Sequence, residues 1–146
     1  MLKSFWFWTF LLLILIQFIP NITPSSINNG NNTNEIEAPT EVLNILKTSC
    51  YDCHSNSVDY PWYDHVAPAS WFAQIHVKNA REALNFTEWK SYDKEKQRKL
   101  LLKIKKATVI RMPLASYLWL HNDAKLSVNN KKLLQKWALS LKEKIK

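Results

Sequence analysis

The run Cys50-Tyr51-Asp52-Cys53-His54 (CYDCH) holds both cysteines of this 146-residue chain, and the rest of the sequence is read outward from it. Residues three apart on a helical turn project their side chains to one side, so the two thiols face the same space. A histidine directly after the second thiol lies beside them. Cys-x-x-Cys-His in this order is the attachment signature of c-type haem. Each thiol can form a thioether to one of the two vinyl groups of the porphyrin, and the adjacent imidazole supplies the proximal iron ligand. The expectation is one covalent haem c on Cys50 and Cys53, with His54 on the iron.

Two other chemistries use the same cysteine spacing. A redox dithiol expects strands alternating with helices around the motif, and this chain carries no convincing strand pattern and leaves His54 unexplained. A structural zinc site at Cys50 and Cys53 would need two of His54, His65 and His76, at spacings that fit no common finger. A disulfide between the pair would close too small a loop to staple a domain.

The amino terminus has the layout of an export signal: Lys3, then an apolar stretch from Phe5 to Ile19 broken only by Thr9 and Gln17. Residues 1–22 are read as a signal peptide or a signal-anchor. No small-x-small cleavage site follows, which favours retention, although a spanning helix usually needs about 17–25 residues. Export agrees with the motif, because covalent haem attachment in bacteria takes place outside the cytoplasm. Residues 23–39 are rich in Asn and Ser and carry no hydrophobic period, so a flexible linker that buries nothing is expected. Residues 40–146 have the length of one domain. All the Lys and Arg except Lys3 fall in that domain, within a chain of net charge +8. Such a surface suits an acidic redox partner or anionic headgroups; nucleic acid is not expected for an exported chain.

The domain reads as all-α, a cytochrome-c-like bundle of about four helices around one haem, preceded by the hydrophobic leader or anchor helix. The first helix starts at Thr40 as N-cap, uses Val42, Leu43, Ile45 and Leu46, and runs straight into CYDCH. The second covers 70–84 with Trp71, Phe72, Ile75, Ala80 and Leu84 inward. The third covers 93–108 with Leu100, Leu101, Ile104 and Ala107 inward. The last follows Ser127 as N-cap and uses Leu133, Leu134, Trp137, Ala138 and Leu141. The single glycine, Gly30, lies outside the domain. Left-handed turns would therefore fall to Asn56, Asn79, Asn85, Asn122 or Asn129.

Met112 is the candidate for the distal iron position, since Pro113 stiffens the chain where a thioether must be aimed. His76, on the apolar arc of the second helix, is the alternative. His65 and His121 read as surface residues. Trp62, Trp71 and Trp119 are candidates for lining a flat porphyrin, and Arg81 and Arg111 for pairing with its propionates. Lys94, Lys96, Arg98, Lys99, Lys103, Lys105 and Lys106 make the third helix basic. At a haem edge they would steer an acidic partner.

These residues carry a resemblance. CYDCHSN (50–56), YPWY (60–63), P-x-SW (68–71), HV (76–77), LNFTEW (84–89), MP-x-x-x-Y (112–117) and H-x-x-A-x-LS (121–127) together resemble the small haem-binding domain family of bacterial exported proteins. The resemblance implies a cytochrome-c-like helical fold with one haem c. Related domains are fused to cytochrome c or di-haem peroxidase modules, which points to respiratory or peroxide-linked electron transfer. The chain departs from the family at Ala80-Arg81, Met112-Pro113-Leu114 and His121-Asn122, where Gly-Arg, Met-Pro-Pro and His-Pro are usual. The function expected is a periplasmic or membrane-tethered monohaem c-type cytochrome that passes single electrons and does no bond chemistry. The alternative is a haem protein with an open distal site, acting on peroxide or sensing a diatomic gas.

Overall fold

The computed structural model describes residues 2–19, 32–58 and 60–145. Among them are seven α-helices and no strand: α1 (Leu2–Leu15), α2 (Thr40–Ser49), α3 (Tyr51–His54), α4 (Ala69–Ala83), α5 (Lys94–Ile110), α6 (Ala115–Leu118) and α7 (Val128–Lys144). Short 3-10 turns connect several of them. The all-α expectation holds, with α2, α4, α5 and α7 as the four long helices of the domain.

The core forms where α5 and α7 run against each other and α2 closes over them. Leu100, Leu101 and Ile104 meet Leu134, Trp137 and Ala138, with Val42 and Leu46 from α2 and Phe86 and Trp89 from the turn after α4. The i, i+3, i+4 spacing of these residues makes each helix bury one stripe. Both long helices start on a side-chain cap. Asp93 accepts from the Lys96 amide at 2.7 Å, and Ser127 accepts from the Asn130 amide at 3.0 Å. Each cap contributes about 1 kcal/mol.

Several expectations need correction. Pro39, not Thr40, occupies the N-cap of α2; it lacks an N–H, and its φ of −54° already suits the helix entrance. That helix stops at Ser49, because Cys50 (φ −134°, ψ −32°) leaves helical geometry, and CYDCH forms its own turn, α3. Ile36 is buried in the core, and its amide donates to the Phe86 carbonyl at 2.9 Å. Residues 35–39 therefore pack with the domain, whereas the expected linker at 23–31 lies outside the described residues. No described residue has positive φ, so none of the five asparagines supplies a left-handed turn. No helix among the described residues is long and apolar enough to cross a membrane; α1 has 14 residues, about 21 Å at 1.5 Å per residue.

The face of α4 differs most. It buries Ser70, Gln74 and Val77 and exposes Phe72 and Ile75. His76, Asn79, Ala80 and Ala83 look into an open cavity, and Phe72 and Ile75 lie one turn earlier on the same stripe. Of the residues expected inward, Leu84 joins the core and with Ala80 lines the cavity, while Phe72 and Ile75 are exposed.

Candidate functional site

The site is built on the α3 turn. Both its closing hydrogen bonds end on the Cys50 carbonyl, from the Cys53 amide at 3.3 Å and the His54 amide at 2.9 Å. This curls the two thiols and the imidazole to one side. The His54 ring reaches the C-terminal end of α4, where its Nδ1 lies 2.9 Å from the Leu84 carbonyl and 3.1 Å from the Ala80 carbonyl. Carbonyls only accept, so Nδ1 carries the proton and the lone pair is left on Nε2. Burial lowers the ring's proton affinity below its ordinary value, against a smaller opposing effect of the two carbonyls. The result is a neutral imidazole, oriented by a second layer of hydrogen bonds in the way metal-ligating histidines are held.

A cavity of about 420 Å³ opens beside this turn between α4 and α5, within the roughly 300–1,000 Å³ of small-molecule and cofactor sites. Cys50, Cys53 and His54 line one side, and Met112, Pro113 and Tyr117 line it from the chain after α5. Ala80, Leu100, Ile104 and Ala107 give it small and apolar walls, while Lys103 and Arg111 bring positive charge to it. Burial pushes the Cys50 thiol up to about 12. Burial and the neighbouring carboxylates of Asp52 and Asp64 push Cys53 up to about 11. Both stay protonated thiols, the opposite of the lowered value a reactive dithiol needs. No three His, Cys, Asp or Glu side chains gather as a metal-holding set among the described residues. Neither the dithiol nor the zinc reading gains support.

A chain of polar contacts holds the motif from behind. The Tyr117 hydroxyl donates to Asp52, inside CYDCH. Tyr117 stacks on His121 with ring centres 4.0 Å apart. The Nδ1 of that histidine lies 3.1 Å from the Tyr117 carbonyl, so its Nε2 accepts from the Tyr63 hydroxyl at 3.0 Å. Just beyond the motif, the Asn85 amide donates to Asn56 at 2.7 Å. The Asn56 amide N–H donates to Thr87 at 3.0 Å, and the Thr87 hydroxyl donates back to Asn85 at 2.7 Å.

A model of a family described as "Haem-binding domain" matches residues 11–140. The chain belongs to this family. No curated protein and no solved structure matches it. The cavity fits that cofactor on chemical grounds: paired thiols, an imidazole with its lone pair on Nε2, a thioether and two cations line one apolar space.

Within the haem-binding domain the cavity gathers Cys50, Cys53, His54, Met112, His76 and Arg111, and leaves out Trp62, Trp71 and Arg81. Trp62 and Trp119 point outward, and Trp71 is only half-buried. Arg81 instead donates from Nε to the Ser55 carbonyl at 2.7 Å, which ties α4 to the end of the CYDCH turn. His76 turns its Nδ1 to the Phe72 carbonyl at 2.7 Å, so its lone pair also lies on Nε2. Reading the residues for ligands passed over Tyr117 and the Tyr63–His121 pair, and took His121 for a surface residue. A signal was present, since Tyr117 closes MP-x-x-x-Y and His121 opens H-x-x-A-x-LS.

Proposed function

We propose that this haem-binding domain is an exported, membrane-tethered monohaem c-type cytochrome. Its haem is held by thioethers from Cys50 and Cys53, with His54 as proximal and Met112 as distal iron ligand. The observation that carries the reading is the arrangement around His54. Two backbone carbonyls hold Nδ1, and the same cavity receives both thiols and the Met112 thioether. When bound, the haem supplies a one-electron Fe(III)/Fe(II) couple, whose potential a thioether ligand raises relative to a second imidazole. The chain's own part is to fix the imidazole, wall the porphyrin with apolar side chains, and present Lys103 and Arg111 beside it. Those cations, with the basic start of α5, suit an acidic redox partner. The apolar leader and the position of CYDCH in an exported-type chain support a site outside the cytoplasmic membrane.

The test is expression in a host that matures c-type cytochromes. The purified chain should carry the added mass of one haem, give a pyridine haemochrome, and show the weak sulfur-to-iron band of the oxidised form. A colourless chain refutes the assignment. One observation favours a second reading: His76 lines the cavity with its Nε2 lone pair available, as an open distal site with an acid–base group would need. A high-spin ferric spectrum without the sulfur band would support that peroxide- or gas-binding form over the electron carrier.

A further inference from the structure

The leader does not simply precede the domain; it is hydrogen-bonded to it. Gln17 sits in the 3-10 turn Ile16–Phe18 that continues α1. Its Oε1 accepts from the Ala67 amide at 2.9 Å, and its Nε2 donates to the Ala67 carbonyl at 3.0 Å. The same nitrogen donates to the Leu13 carbonyl at 2.8 Å. Both N–H donors and one acceptor site of the side-chain amide are thus used, two of the three bonds joining the leader to the loop before α4. A backbone N–H and C=O taken together make a two-point clasp, which fixes orientation as well as distance.

The surroundings of the clasp are apolar and uncovered. Phe18 on the leader is 79% exposed, and on the domain Trp62 is 77%, Val66 45% and Phe72 66% exposed. Large apolar side chains left exposed on both partners of the clasp offer an interaction surface. The leader identifies the occupant. Phe5, Trp6, Phe7, Trp8 and Phe10 all face outward, so from Phe5 onward, past Lys3 and Ser4 in its first turn, α1 is apolar all round. Its one mid-helix hydroxyl, Thr9, donates to the Phe5 carbonyl at 2.9 Å. A helical stretch with no charged residue and no polar face belongs in hydrocarbon. The end of that helix, where Gln17 sits, is then level with the headgroups, and the clasp holds residues 62–72 at the same level. Tryptophan is favoured at that depth, having an apolar body and one polar N–H.

We infer that the segment from Trp62 to Phe72 lies against the lipid surface, locked there by the Gln17–Ala67 clasp, so that the domain is docked on the bilayer and does not swing on its tether. The inference rests on the membrane-tethered reading above and adds to it a fixed face and a fixed orientation. The α4 stripe that continues from Phe72 into the cavity would then leave the lipid surface at a set angle, and the basic side of α5 would be presented to a partner in one pose.

The full-length chain, incorporated in a supported bilayer of phosphatidylethanolamine and phosphatidylglycerol, is to be measured by neutron reflectometry. The wild type should show protein density abutting the headgroups with no water layer between. Gln17→Leu, which keeps the leader apolar but removes the clasp, should open a hydrated gap. So should Trp62→Ser combined with Phe72→Ser, two exposed positions whose replacement leaves the core intact. Haem absorbance of each film reports that the domain is folded. A gap in the wild type, or the same profile for all three proteins, overturns the inference while leaving the tether standing. A wild type that stays in solution and never enters the bilayer overturns both.

Discussion

On the proposed reading, Cys50→Ala with Cys53→Ala removes both thioether partners of the haem while leaving the buried core side chains in place. The energetic consequence follows from the cavity. About 420 Å³ lined largely by apolar side chains would cost on the order of 10 kcal/mol if left empty and closed, at about 24 cal/mol per Å³. Because the cavity opens to solvent, water fills part of it and the penalty falls below that figure. Even half of it, about 5 kcal/mol, equals the whole stability of a marginal domain. The haem-free double variant should therefore lose its cooperative urea transition. It should keep part of its far-ultraviolet helix signal, because α5 and α7 also pack on each other, and lose its near-ultraviolet aromatic signal. Circular dichroism in both regions across a urea series, beside the haem-loaded wild type, reads this directly. A haem-free double variant that unfolds in one sharp transition at the wild-type midpoint would refute the reasoning.

The other predictions concern single side chains. Met112→Ala should retain covalent haem but lose the sulfur-to-iron band and lower the reduction potential in a redox titration; an unchanged spectrum clears Met112 of the distal role. Tyr117→Phe keeps the stack on His121 but removes the hydroxyl that donates to Asp52. The cost should be about 1.5 kcal/mol, the scale of a hydrogen bond to a charged acceptor, read as a shift in urea midpoint. No shift would mean that the contact does not persist in solution. Tyr51 and Tyr117 both hold their phenols above the ordinary value, through burial first and then through Glu35 and Asp52 respectively. The unfolded chain ionises these groups near pH 10, so their contribution is complete below that pH and is lost as pH rises beyond it. Tyrosinate absorbance should then appear together with the loss of helix signal, and normal titration of both phenols in a fully helical protein would contradict the burial described.

The legible parts of the fold were those encoded within a few residues. Ser127 announced the start of α7 because a cap and its amide are three positions apart. The apolar stripes of α5 and α7 then named Leu100, Leu101, Ile104, Leu134 and Trp137 as core. The α4 stripe was read with equal ease, but of its residues only Leu84 joins the core and Phe72 and Ile75 are exposed, since a hydrophobic period marks a face and not what covers it. The break at Cys50 was missed because no proline or glycine marks the stop. Tyr63, Tyr117 and His121 looked like ordinary loop residues, and only the folded chain joins them to Asp52.

By itself the sequence determined the chemistry that one turn of chain can hold: two thiols and an imidazole on one side of CYDCH, and a family match that makes the cofactor haem. The tertiary structure decided the rest of the site. It brought the Ala80 and Leu84 carbonyls to His54 Nδ1, leaving the lone pair on Nε2, and it put Met112 and His76 on the same cavity as the thiols. The division has a physical cause. Spacing along a turn is set by local backbone geometry, whereas the proton on an imidazole is set by whichever backbone oxygen packing delivers to it, and a backbone oxygen has no letter in the sequence.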